Sequence, residues 1–266
     1  VIVCKAPDEL ERMRPANVLV ADVLVALRGG VGPGVTTADL DAFAERRVRA
    51  AGGVPAFKGY HGFPATLCIS VNEEVIHGIP GPRALREGDI ASIDLGVVLD
   101  GFYGDAAITV PVGRISCDAG ALLRVTEEAL YLGIERARVG GRVSDIGHAV
   151  QRHVEAHRFS VVREFVGHGV GTSLHEEPQV PNFGPAGRGP RLTEGMTIAI
   201  EPMVAMGKAA VKVLGDGWTA VTKDRSLAAH FEHTVAITGD GPVILTTPGG
   251  NGRAVPPGER RPSVGG

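Results

Sequence analysis

Residues 90–113 read IASIDLGVVLDGFYGDAAITVPVG. Two β-like apolar runs, IASIDLGVVL and AAITVPVG, are joined by VLDGFYGD, in which Asp100-Gly101 is a hairpin-turn signal. Asp94 interrupts the first run and Asp105 borders the second. Buried Asp and Glu are rare unless paired or bound to metal. The same oddity occurs twice more: Glu201 follows TIAI, and Glu232 precedes HTVAI. Four acids from separate segments repel strongly if brought together without cations. With His168 of GHGVG added, the simplest arrangement that satisfies all five is a pair of divalent ions. Pairing of the acids with the chain's Arg residues is the competing reading, although buried ion pairs seldom cluster by sign.

Hard divalent metals prefer carboxylate oxygen, and an imidazole shifts the preference toward Mn, Fe, Co or Zn. A carboxylate can bridge two ions, so four acids and one His suffice for a dinuclear centre with open positions. Such a centre acidifies water and polarises a carbonyl, the two requirements of hydrolysis at neutral pH.

Helices flank these strands. Val18, Ala21, Leu24 and Leu27 recur at helical spacing, which predicts a helix from about Pro15 to Leu27 opened by Pro15. A second is expected from Ala38 to Ala51 with Thr37 as its cap and Leu40, Phe43 and Val48 as its apolar stripe. The pattern then restarts. Leu122, Val125, Ala129, Gly133 and Ala137 mark a third helix, and Asp145 to Ala156 a fourth. Further β-like runs are TLCISV, VVREFV, MTIAIEPMV and EHTVAIT. At a constant offset of 106, Gly34 matches Gly140, Asp39 matches Asp145, Leu40 matches Ile146, Arg46 matches Arg152, Val48 matches Val154 and Ala50 matches Ala156. This predicts two related helix–helix–sheet halves, about 8–115 and 119–246, within one domain spanning 1–248. Asp94 and Asp105 come from the first half, and His168, Glu201 and Glu232 from the second. The Pro/Gly/Arg-rich stretch 249–266 reads as a flexible tail.

The chain has 266 residues, 44% of them apolar and 21% charged, and a net charge of -3. It is not basic enough for nucleic acid to be the main partner. It has no adequate leader and no apolar run of about 18 residues, so neither export nor membrane anchoring is expected. Cys4, Cys68 and Cys117 form no disulfide framework, which fits a reducing cytoplasm.

VNEEVIHGIP (71–80), SIDLG…GDAA, GHGVGTSLHEEP (167–178), AIEPM and FEHTVAIT follow one another in the order and approximate spacing of the type I methionine aminopeptidases, and the chain resembles that family from about Asp8 to Thr246. The resemblance implies an α/β (α+β) pita-bread fold with two pseudo-symmetric halves around a central antiparallel sheet. It implies two divalent ions (Co, Mn, Fe or Zn) held by Asp94, Asp105, His168, Glu201 and Glu232, with Asp105 and Glu232 bridging. Glu201 is then also the general base toward the attacking water. His175 stands near the scissile carbonyl and His77 near the scissile nitrogen. Phe57, Tyr60, Phe63, Cys68 and Trp218 would line an apolar side-chain pocket, a role that competes with plain core packing for each of them. The implied reaction is removal of the N-terminal methionine from nascent chains, favouring a small second residue. The implied setting is a cytoplasmic monomer in transient contact with the ribosome. Glu176 and Glu177 read as solvated or supporting residues. Leu174, Gly96 and Ala106 depart from residues common in the family, which leaves pocket shape and metal preference open. A proline-directed aminopeptidase and a metal-free binding module of the same fold are the alternatives.

Overall fold

The structure, a computed structural model, describes residues 1–250. Four helices carry the architecture: α1 (Pro7–Gly30), α2 (Thr37–Ala50), α3 (Cys117–Arg136) and α4 (Val143–Ala156). The main sheet is built on β1 (Leu67–Val71), β2 (Ile90–Leu99), β3 (Phe102–Pro111), β4 (Gly167–Gly169), β5 (Glu176–Val180), β6 (Thr197–Ile200) and β7 (Glu232–Thr238). Their spatial order is β1–β2–β3–β7–β6–β4–β5, antiparallel throughout. Val54–Pro55 also pairs with β2, and Gly241–Ile244 with β7.

The hairpin of residues 90–113 forms as its sequence predicts. Leu99 faces Phe102, and the two residues between them, Asp100 at φ 50° and Gly101 at φ 80°, turn the chain in the left-handed region. Positive φ at both central residues gives a turn whose twist matches that of the strands.

The repeat has a physical basis. Helices α2 and α4 begin and end 106 residues apart, at 37 and 143 and at 50 and 156. Asp39 accepts the N–H of Thr36 at 3.2 Å, and Asp145 accepts that of Arg142 at 2.8 Å, so both acids close the first turn of their helix. Gly34 and Gly140 precede them at φ 89° and 86°. Leu40 and Ile146, and Val48 and Val154, are buried. The matches at Arg46/Arg152 and Ala50/Ala156 are exposed and have no such reason.

Three expectations need correction. Helix α1 starts at Pro7, not Pro15. Pro7, Asp8 and Glu9 form an acidic first turn, and Glu9 accepts the N–H of Ala6 at 2.8 Å. Pro15 lies inside the helix, exposed like Glu11, so the carbonyl that loses its N–H partner faces water. The cap of α2 is Thr36, whose hydroxyl accepts from Asp39 N–H, and not Thr37. In VVREFV only Val161 is in a strand, the two-residue Ser160–Val161. The tail falls outside the described residues except for Gly249 and Gly250. These close a short turn, Pro248–Gly250, whose Gly249 N–H donates to Asp22 on α1 at 3.3 Å.

Side-chain alternation divides the sheet into two faces. Ile93, Leu95 and Val97 of β2 and Ala106 and Val110 of β3 pack in one core with α1 and α2. Ile198 and Ile200 of β6 and Val235 and Ile237 of β7 pack in another with α3 and α4. The residues between them therefore turn to the opposite face: Asp94, Asp105, Glu232 and, just past the end of β6, Glu201. Among the described residues no helix is long and apolar enough to cross a membrane.

Candidate metal centre

Strand register gathers the acids. Cys68 pairs with Asp94, Asp94 with Ala107, and Ala107 with Glu232, in one row across β1, β2, β3 and β7. Ile200 pairs with His233, so the next step of the same register sets Glu201 opposite Glu232. Asp105 lies two residues from Ala107 and so on the same face. His168 enters from β4. Its Nε2 is 3.8 Å from Asp105 Oδ2 and 3.5 Å from Glu201 Oε1. Asp105, His168 and Glu232 each offer a ligand atom, all within 4.8 Å of one another. The structure therefore brings all five of the expected residues together.

Asp105, Glu201 and Glu232 are buried, and among the described residues no Lys or Arg pairs with any of the four acids. The Arg-pairing alternative is thereby removed. Asp94 Oδ1, Asp105 Oδ1 and Glu232 Oε1 are buried with no hydrogen-bond partner. Burial raises the pKa of Asp94 to about 8. It raises Asp105, Glu201 and Glu232 well above the carboxylate range, helped by their neighbours' negative charge. His168 is pushed the other way, to about 3, by burial and then by His175. Its Nδ1 lies 2.9 Å from the Gly169 carbonyl, which fixes the proton there and leaves Nε2 with its lone pair toward the acids. Orphaned carboxylate oxygens facing a neutral imidazole form a donor set of mixed oxygen and nitrogen that fits divalent ions.

His77 and His175 flank the centre. His77 is held at φ 59°, and its ring meets Phe165 at 5.7 Å and Trp218 at 6.3 Å. Burial lowers its pKa to about 4, with a further contribution from His175. The His175 ring lies 4.3 Å from that of His168, and its Nδ1 is 2.7 Å from the Tyr60 hydroxyl. Burial and then His61 lower its pKa as well. Both imidazoles are therefore neutral at pH 7.

The five expected pocket residues lie in a single apolar cluster. Phe57, Phe63, Ala65, Cys68 and Leu174 are its buried members, with Tyr60 and Trp218 partly buried against them. Phe63 and Trp218 meet edge to face at 5.1 Å. Cys68 joins the cluster to the acids through its pairing with Asp94, and burial beside those acids keeps its thiol protonated, a wall and not a ligand. Tyr103 and Ile79 also belong to the cluster but have no sequence pattern that marks them.

The departures acquire reasons. Gly96 faces the site, and a Cβ there would lie 2.5 Å from the Phe57 ring, so the ring occupies the space a side chain at 96 would need. Ala106 points to the opposite face, into the core with α1 and α2, where a hydroxyl has no role in the site. Leu174 packs into the pocket cluster.

His230 was not read from the sequence. It is buried, its Nε2 lies 3.8 Å from Glu201 Oε2, and that atom has no hydrogen-bond partner. Its only sequence signal is a lone His two residues before Glu232. A second group of possible ligands, Glu128, His153 and His157, lies apart on α3 and the end of α4. There Glu128 is already ion-paired with Arg124 at 3.0 Å.

Residues 11–239 match metallopeptidase family M24. Methionine aminopeptidase 1 of Bacillus subtilis is 55% identical over 245 residues, 92% of this chain and 99% of that protein. A methionine aminopeptidase of Clostridium perfringens is 54% identical over 245 residues, 92% of this chain and 98% of its own length. The crystal structure of a methionine aminopeptidase from Thermotoga maritima matches with a TM-score of 0.91 at 47% identity, covering 93% of this chain and 100% of that one.

Proposed function

The chain belongs to metallopeptidase family M24, with the pita-bread fold of its methionine aminopeptidases, and we propose that it hydrolyses the first peptide bond of chains that begin with methionine. The observation that carries this reading is the row of carboxylates, three of them with a buried oxygen that has no hydrogen-bond partner, beside an apolar side-chain cluster. Asp94, Asp105, His168, Glu201 and Glu232 would hold two divalent ions. When bound, the ions supply positive charge that acidifies water and polarises the scissile carbonyl.

The chain's own groups do the rest. Glu201 takes the proton of the attacking water and passes it to the leaving amine. The Tyr60 hydroxyl is 2.7 Å from His175 Nδ1; in the tautomer this mechanism requires, the hydroxyl donates to Nδ1 and the imidazole carries its proton on Nε2, free to donate to the oxyanion as it develops. A neutral His175 suits that task because it gives a hydrogen bond without becoming an acid strong enough to lose its proton. His77 stands by to orient the scissile nitrogen. The pocket of Phe57, Tyr60, Phe63, Cys68, Leu174 and Trp218 takes the methionine side chain by burial of apolar area. A small second residue is favoured. Nascent chains in the cytoplasm are the natural substrates, met by a monomer in transient contact with the ribosome. The free thiols of Cys4, Cys68 and Cys117 suit that compartment.

The test compares Met-Ala-Ser and Xaa-Pro peptides on chelated protein before and after addition of Mn, Co, Fe or Zn. Metal-restored release of methionine supports the reading. Release from Xaa-Pro alone moves the chain to a proline-directed activity, and release from neither under any metal overturns the assignment.

A further inference from the structure

Lys5 lies in the lead-in to α1, outside every helix and strand, yet its side chain is only 3% exposed. A buried ammonium requires partners. Lys5 Nζ is 2.5 Å from Glu176 Oε2 and donates to the Val3 carbonyl at 3.3 Å, while its backbone N–H donates to the Gly195 carbonyl at 2.7 Å. Glu176 is itself largely buried, with 10% of its side chain exposed. Its other oxygen accepts from the N–H groups of Thr172 at 2.8 Å and Ser173 at 3.2 Å.

The segment so gathered runs from Gly171 to Glu176, from just beyond β4, which carries His168, to the first residue of β5. It holds Leu174 of the pocket and His175 beside the centre. Thr172 to His175 lie in neither strand, so Glu176 gives this loop anchors that no ladder supplies. Gly171 shows how closely Lys5 approaches. A Cβ on it would meet Lys5 Nζ at 2.5 Å and Glu176 Oε1 at 2.6 Å. The Gly171 carbonyl in turn accepts the N–H of Tyr103, another member of the pocket cluster, at 2.8 Å.

We propose that Lys5 is a positioning residue for the reaction: through Glu176 it holds the 171–176 loop so that Leu174 and His175 stand correctly over the centre. The proposal rests on the role given to His175 above. The stretch that precedes α1 is thus part of the active-site scaffold. A shift of about 1 Å in an oxyanion donor lowers turnover by up to about 100-fold without weakening substrate binding in proportion.

Lys5→Met keeps the aliphatic stem and removes the charge, and Gly171→Ala drives a methyl group into the contact. Metal-loaded wild type, both variants, His175→Ala and the double variant Lys5→Met/His175→Ala are compared by kcat and KM on a Met-Ala-Ser peptide, with ion content and Tm alongside. The expected result is a fall in kcat of about tenfold or more for Lys5→Met and Gly171→Ala, with KM and ion content little changed. In the His175→Ala background, Lys5→Met should then lower kcat by less than about twofold. A Tm loss with wild-type kcat in both variants marks a purely structural contact and overturns the proposal, as does a loss that multiplies in full with that of His175→Ala. Should His175→Ala alone leave kcat unchanged, the role of His175 is wrong and the proposal falls with it. Methionine release by the wild type in the same assay keeps that outcome distinct from failure of the functional assignment. Gly171→Ala serves as the independent arm if Lys5→Met does not fold.

Discussion

Gly96→Ala adds one methyl group beside Asp94 and tests how tightly the pocket is coupled to the centre. The new Cβ would stand 2.5 Å from Phe57 Cε1 and 3.0 Å from Ala56 Cβ. Carbon atoms rest about 3.5–4.0 Å apart, so the ring must retreat by about 1 Å. It has little room, because Phe57 is 9% exposed and packs with Phe63, Cys68 and Leu174. Overpacking of this kind costs about 1–3 kcal/mol, which lowers Tm by about 3–10 °C in a chain of this size. The retreating ring also enters the pocket, so KM for a methionine peptide should rise more than kcat falls. Phe57→Ala removes the obstacle, and the double variant should recover about 1–3 kcal/mol relative to the sum of the single changes. Thermal unfolding of the metal-loaded proteins and initial rates on a Met-Ala-Ser peptide give both readouts. A Gly96→Ala variant with wild-type Tm and KM, or a cycle that adds without coupling, would refute the steric argument.

Glu201→Gln keeps the shape of the side chain but cannot accept a proton, so kcat should fall by about 100-fold or more with KM nearly unchanged; retention of a tenth of wild-type turnover would remove its role as base. Tyr60→Phe deletes the hydroxyl that fixes the tautomer of His175 at 2.7 Å. A neutral hydrogen bond is worth about 0.5–1.5 kcal/mol, so steady-state kcat should drop about 2–10-fold. Chelated protein should lose stability as pH rises from 6.5 to 8, followed by Tm. Asp94, Asp105, Glu201 and Glu232 have folded pKa values raised above the unfolded value of about 4, so their stabilising effect is full at low pH and is lost as pH rises. His77, His153, His168, His175 and His230 are lowered and act in the opposite sense, an effect that fades as pH rises past their unfolded pKa of about 6.5, so the acids dominate toward the upper end of this window. The slope is about 1.4 kcal/mol per pH unit for each acid that remains protonated. Saturating divalent metal should flatten it, and a chelated protein that gains stability across the window contradicts the burial argument.

The site was legible where a residue violated its local pattern. Asp94 and Asp105 stand out because each breaks or borders an apolar strand, and alternation then fixes the face they occupy. The repeat was legible because the matching positions do the same work twice: Asp39 and Asp145 cap, Leu40 and Ile146 fill the core. Pro15 misleads because a proline opening a helix is common, while the true start is signalled by a second proline, Pro7, and the acidic turn that follows it, after an Ala6 that has no capping side chain. His230 leaves only the weak signal of a lone His two residues before Glu232, since a single His in an apolar strand looks like any buried neutral His. The Lys5–Glu176 pair spans 171 residues of sequence, and no local period links its ends. Phe57 and Gly96 each stand out in the sequence, but their mutual dependence exists only across the pairing of distant segments.

Anomalous diffraction at the metal absorption edge from crystals of the Mn- or Co-loaded protein tests the central claim most directly. The account predicts two ions on the acid-bearing face of the sheet, with Asp105 and Glu232 between them and Asp94, His168 and Glu201 completing their shells. Anomalous signal only at Glu128, His153 and His157, or none within reach of Asp105 and Glu232 at saturating metal, would contradict it.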